Sequence, residues 1–240
     1  QSEMYANALD LIPSSLLLDN YLRAWEKARF GTYFVNTVIL AVSSTFIVVV
    51  ICVLTGYVLG RYNFPGRHVI IAALVLPMFI PRGYTIVPVF DLINFLGLLD
   101  SRAGLILAES GWGYTLYMLL VAVAFRDIPQ ELEDAAVLDG CGFFRTFLKV
   151  MLPLTKPALA TIVVLQFIAS WNSYEIPLVL TLGRPELRTL GVGMFAFRGS
   201  HISDWTGLAA GATMAVVPIV GVFLAMQRYF LHGLAGAVKG

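Results

Sequence analysis

Residues 33–60 read YFVNTVILAVSSTFIVVVICVLTGYVLG, with no Asp, Glu, Lys, Arg or His before Arg61 closes the run. A helix rises about 1.5 Å per residue, so roughly 20 residues cross a hydrocarbon layer of about 30 Å. This stretch is long enough to span, and Asn36 sits near its start as a polar group inside the apolar layer. Of the 240 residues, 58% are hydrophobic and 13% charged, with a mean hydropathy of +0.80; soluble domains carry about 25% charge. A soluble globular domain, a disordered chain and a coiled coil are excluded, because each needs far more charge. The 16 basic and 15 acidic residues leave a net charge of +1, and no basic stripe is present to neutralise a row of phosphates. Nucleic-acid binding is set aside, and lipid is the expected solvent.

Further windows follow along the chain. Val69–Phe90 is apolar but holds Arg82 and is broken by Pro77, Pro81 and Pro88, each of which removes a backbone donor; it predicts a kinked span buried among other helices. Gly111–Phe125 is short, and an interfacial turn at Leu105–Ala108 is expected to lengthen it. Pro157–Tyr174 is free of charge and continues past Glu175 to Leu182, and Trp205–Gln227 is free of charge up to Arg228. With the first, these make five spans, which places the two ends on opposite sides. Lys and Arg divide eight against eight between the alternating sides, so the positive-inside rule leaves orientation open. Gln1–Asn20 lacks the features of a signal peptide and there is no initiator Met, which leads us to expect residues upstream of Gln1. Cys52 and Cys141 lie in unlike surroundings and read as packing residues.

The long polar connection, Arg126 to Lys156, predicts two short helices and a tight turn. Asp127 suits an N-cap and Pro129 the first turn, while Glu131, Glu133 and Asp134 meet the positive end of the helix dipole. Leu132, Ala135, Ala136 and Leu138-Asp139 give the helix a small-residue face that lets another backbone approach closely. Gly140 and Gly142 allow the turn, and Pro153 is expected to end the second helix. On charge and caps alone, this is a solvated amphipathic loop.

Its spacing points further. Asp134-Ala135-Ala136, Asp139-Gly140, Phe147 and Leu152-Pro153-Leu154 with Pro157 resemble the EAA loop of the permease subunits of binding-protein-dependent ABC importers. Asn20-Tyr21, Tyr33-Phe34 with Asn36-Thr37, Arg61-Tyr62 with Phe64-Pro65-Gly66, Trp171-Asn172 and the ending from Gln227-Arg228 to Gly240 are similar to carbohydrate importers, the maltose-type second permease subunit in particular. Asp134 stands where the family usually has Glu, one methylene longer. The resemblance implies an all-α polytopic transmembrane bundle of the type I ABC importer permease fold, with six spans in the full-length subunit. Residues 1–32 become an extracytoplasmic segment after a first span and 33–240 the permease domain, in which 126–157 is cytoplasmic and 183–204 extracytoplasmic. It implies multi-pass placement in a bacterial or archaeal cytoplasmic membrane. It also implies a second permease subunit, two ATPase subunits that bind ATP and Mg, and an extracytoplasmic solute-binding protein; this chain holds no cofactor or metal. Glu131, Asp134, Ala135, Ala136, Asp139, Gly140, Phe147 and Pro153 would then couple to the ATPase, Asp139 holding the turn through backbone donors.

Polar groups in a membrane tend to face a cavity or a partner, which makes Asn36, Arg82, Trp171, Asn172, Tyr174 and Glu175 candidates for a substrate pathway. For Arg82 a structural salt bridge or carbonyl contact ranks ahead of substrate contact, with Asp91 reachable only through the bent backbone; Gln166 is a further polar group of this kind. Trp171 to Glu175 suits a neutral polyol, by stacking and hydrogen bonding, or an aromatic belt. Arg188, Met194, Phe195 and Phe197 in the outer loop are expected to meet the binding protein, since exposed Met and Phe there are costly without a partner. A di- or oligosaccharide is the expected substrate, with a polyol, monosaccharide or glycerol phosphate as alternatives. None of Lys27, Lys149, Lys156 and Lys239 follows a glycine, so no P-loop is present and energy must come from another chain. An intramembrane enzyme finds support only in Ser200-His201, which lacks an oriented third group, and the scattered histidines form no metal site. A passive channel would have no use for the 126–157 loop.

Overall fold

A computed structural model describes residues 18–27, 29–194 and 204–237, the side chains of residues 27 and 230–237 excepted. The described residues are helices and their connections: α1 Asp19–Lys27, α2 Phe30–Arg61, α3 Arg67–Val75, α4 Ile86–Phe95, α5 Arg102–Ser110, α6 Tyr114–Arg126, α7 Gln130–Leu138, α8 Phe143–Leu154, α9 Lys156–Trp171, α10 Glu175–Leu180, α11 Leu190–Gly193 and α12 Trp205–Ala237. This is the expected all-α polytopic bundle. Two helices, α2 and α12 as far as Tyr229, are each long and apolar enough to cross a bilayer. Three more pairs qualify only with both arms counted: residues 67–79 with 82–95, bent by 102°; α5 with α6, bent by 55°; and α8 with α9, bent by 73°. Two helices are thus long enough to cross by themselves, and five crossings require each bent pair to act as one span.

The central element is α2. It contains no proline, so its backbone ladder runs unbroken from Phe30, three residues before the charge-free window begins. Around it the core forms three layers. At one end Phe30, Tyr33 and Ala41 meet Phe167, Trp171 and Leu190; beside these, Leu40 meets Ile93, Leu105, Ile176 and Leu180. At the other end Val48, Cys52 and Tyr57 meet Met118, Val121, Phe125, Phe147, Met151 and Ile162. Close approach of α2 and α6 depends on Gly56 and Gly60, spaced so that both lie on one face. A Cβ at Gly56 would come within 2.8 Å of Val121 Cγ1, and one at Gly60 would collide with the carbonyl oxygen of Ala122. Small residues at this spacing are the usual means of bringing membrane helices together, since lipid supplies no hydrophobic drive between them. The Ser44 and Ser170 hydroxyls, 2.8 Å apart, add a polar bond between α2 and α9, and Gln166 Nε2 donates to Ser170 at 3.0 Å. Gln166 is therefore committed to the helix packing.

Several local expectations change. The kink in 69–90 is a near-right-angle fold at Ile80-Pro81. Its first arm is not buried among helices of this chain: Val69, Leu76 and Phe79 are 71%, 66% and 80% exposed. Residues 105–108 are no turn but part of α5, capped by Ser101, whose Oγ accepts from Gly104 N at 3.0 Å. The window after Pro157 breaks at Asn172–Tyr174, and α10 starts afresh at Glu175.

Candidate functional site

The 126–157 segment folds as two short helices about a tight turn. Asp127 is not the N-cap; it closes α6, its N–H donating to Val123 O at 3.0 Å, and Pro129 stands at the cap of α7. The turn is a Schellman motif. Cys141 N donates to Ala136 O at 2.9 Å, Gly140 N to Val137 O at 3.0 Å, and Gly140 takes φ +77°, a conformation that costs a residue with a Cβ about 1–2 kcal/mol. Backbone bonds hold this turn, and the Asp139 carboxylate makes none of them. Pro153 does not end α8 but lies within it. A π-helical stretch, Phe147–Met151, precedes it, and the chain turns by 73° only after Leu154.

Of the residues expected to couple, Ala136 and Phe147 are buried, while Glu131, Asp134, Ala135, Asp139 and Gly140 are exposed. The exposed face also carries Val137, Leu138 and Phe144, at 60%, 87% and 76%. Charge patterning did not reveal what fastens this segment. Arg61 Nε and Nη2 donate to Glu133 Oε2 at 2.8 and 2.6 Å, Nη1 to Ile128 O at 2.8 Å, and Nη2 to Gln130 Oε1 at 2.7 Å. Tyr57 OH donates to Glu133 Oε1 at 2.8 Å. The Arg61 and Glu133 side chains are only 6% and 14% exposed, so this is a nearly dry pair whose charges are met on both sides. The Tyr57 ring also packs on Phe125 and Phe147, at 5.1 and 4.8 Å between centroids. One residue of α2 thus touches α7 through its hydroxyl and α8 through its ring.

Arg82 pairs with Glu109, not Asp91. Its Nη2 lies 3.1 Å from Glu109 Oε1 and 3.4 Å from Ser173 Oγ, and Ser173 donates to Glu109 Oε2 at 2.8 Å. Its guanidinium lies 5.2 Å from the Trp112 ring centre. Glu109 is 1% exposed. Beside this cluster is a cleft of about 420 Å³, bordered by Arg82, Met78, Trp112, Tyr117 and Ile176. The other pathway candidates part company. Trp171 is buried, its indole donating to Ala215 O at 3.1 Å and its ring stacked on Phe167, so the face expected to meet a sugar is turned into the protein. Asn36 is buried too: its Nδ2 donates to Glu186 O and Arg188 O at 2.7 and 3.0 Å, and its Oδ1 accepts from Arg102 at 3.2 Å. Its polar atoms are thus committed to the connection around residues 186–188 and to Arg102. Asn172 and Glu175 are exposed, Tyr174 half-buried. In the connection after α10, Arg188 and Met194 are both half-buried, Met194 packing against the Phe30 to Trp171 layer. Phe195 and Phe197 lie outside the described residues.

A family model for the binding-protein-dependent transport system inner membrane component matches residues 29–235. The chain belongs to that family. This permease is 34% identical over 95% of its length to 74% of the diacetylchitobiose uptake system permease protein NgcG of Streptomyces coelicolor. It is 35% identical over 96% of its length to 85% of the trehalose transport system permease protein SugB of Mycobacterium tuberculosis. In structure it resembles a bacterial ABC transporter involved in importing the acidic polysaccharide alginate, with a TM-score of 0.79, 27% identity, and coverage of 91% of this chain and 81% of that one. The fold is accordingly that of an ABC importer permease.

Proposed function

We propose that this permease is one of two unlike permease chains in an ATP-driven importer of a di- or oligosaccharide. The assembly would contain two ATPase subunits, which bind ATP and Mg, and an extracytoplasmic solute-binding protein. In this reading residues 126–157 face the cytoplasm and seat in a cleft of the ATPase, and residues 183–204 face the opposite side. The exposed face of α7 and its turn carries the proposal. A polar connection that leaves Val137, Leu138 and Phe144 uncovered, on a base held by Arg61 and Tyr57, suits a firm knob with an apolar tip, and such a tip is costly in water without a partner. The sugar class rests on relatives named for diacetylchitobiose and trehalose. The pathway is assigned to the cleft beside Arg82 and to the exposed Asn172 and Glu175.

Purification of the full-length tagged protein from its native membrane, with mass spectrometry of what accompanies it, tests the assembly. Recovery of an ATPase, a second permease and a binding protein is expected; a chain that comes alone after mild crosslinking overturns the reading. Gly140→Leu is expected to cost about 1–2 kcal/mol of strain at the turn, while its Cβ meets no atom within 4 Å. The subunit should reach the membrane at its usual level while uptake falls and ATP hydrolysis persists, as radiolabelled sugar uptake and phosphate release would measure.

A further inference from the structure

The same helix that anchors α7 also anchors the outer connection. At its Arg61 end, α2 holds Glu133, Gln130 and Ile128 through the guanidinium and Tyr57. At its Asn36 end it holds the carbonyls of Glu186 and Arg188, and the Thr37 hydroxyl accepts from Leu190 N at 2.8 Å. Asn36 and Arg61 are about 38 Å apart along one unbroken helix. The geometry points to α2 as the strut through which the ATPase-facing turn and the outer connection sense one another, with Arg61, Tyr57 and Glu133 as positioning residues at one end and Asn36 at the other. This rests on the importer reading given above.

The physical case is one of stiffness. Directional bonds to a buried charge resist sliding and rotation, whereas apolar contacts in the same place would permit both. A displacement of α7 therefore carries the Arg61 end of α2 with it. Because α2 has no proline to bend at, that displacement reaches the Asn36 end as tilt or rotation. There, two carbonyl bonds and one hydroxyl bond pass it to residues 186–190. No other helix among the described residues makes side-chain hydrogen bonds to both segments.

The assembled transporter in lipid nanodiscs provides the test, using ATP with Mg and the binding protein recovered with it. The readout is the stimulation of ATP hydrolysis by that binding protein. Glu133→Gln at one end and Asn36→Ala at the other should each lower the stimulation on the order of tenfold, with the ATPase still co-eluting. Sites this far apart ordinarily have independent, additive effects. Two cuts in one strut should instead leave the double variant no lower than the weaker single. Stimulation at the parental level in both singles, or a double variant at the product of the two losses, would overturn the proposal. Should Glu133→Gln not assemble, Tyr57→Phe removes one bond and keeps the ring packing; it must then show the same non-additivity with Asn36→Ala. A parent complex that carries no ATPase overturns the importer reading itself.

Discussion

Gly60→Leu is expected to remove most folded protein from the membrane. The clash is not with a rotatable side chain but with the Ala122 carbonyl oxygen and, at 3.1 Å, with Phe125 Cβ. Relief requires α2 and α6 to separate, and their separation opens the layer that holds Tyr57, Val121 and Phe125. Overpacking in a closed core costs about 1–3 kcal/mol where side chains can adjust, and a backbone obstacle places this substitution at or above the top of that range. Gly83→Ala meets nothing within 4 Å and provides the control. The check is monodisperse protein surviving a heat step in detergent, measured by fluorescence-detected size exclusion. Equal survival of Gly60→Leu and the parent would mean that α2 and α6 do not pack through this face.

Arg82→Met is expected to be the most costly change near the cleft. It strips the charge partner from a carboxylate that is 1% exposed and leaves Ser173 alone to satisfy it. Removing one member of a buried pair costs about 3–5 kcal/mol, and the 30% exposure of the Arg82 side chain places the loss near the lower end. The double variant Arg82→Met with Glu109→Gln carries no stranded charge and should regain most of the stability. Thermal survival of both variants in detergent decides the matter. A double variant as weak as the single would show that the arginine stem, not its charge, supports this region.

What could be read in the sequence follows from what each feature depends on. α2 and α12 depend on apolar length alone, and their windows needed no partner to be recognised. The turn at Gly140 was legible because a glycine after a capped helix is a local signal. The Arg82 to Glu109 and Arg61 to Glu133 pairs were not legible, since each joins segments that only the fold brings together. In the sequence Arg61 closes a span and opens the Arg61-Tyr62 motif, and neither feature names its partner. Trp171 is ambiguous in the sequence for a related reason: beside Asn172 it suits a sugar or an aromatic belt, and its burial against Phe167 depends on which way the end of α9 faces. The Gly56 and Gly60 spacing, by contrast, is a sequence signal for close helix contact that a search for charge-free windows passes over.

The Schellman turn leaves a practical opening. Its closing residue is Cys141, half-buried, and the chain's other cysteine, Cys52, is fully enclosed between α2 and α6. Within these 240 residues a maleimide dye of moderate size would therefore find one attachment point, at the tip of the segment proposed to meet the ATPase. Fluorescence from that single label would follow docking and release in real time, on the unaltered polypeptide.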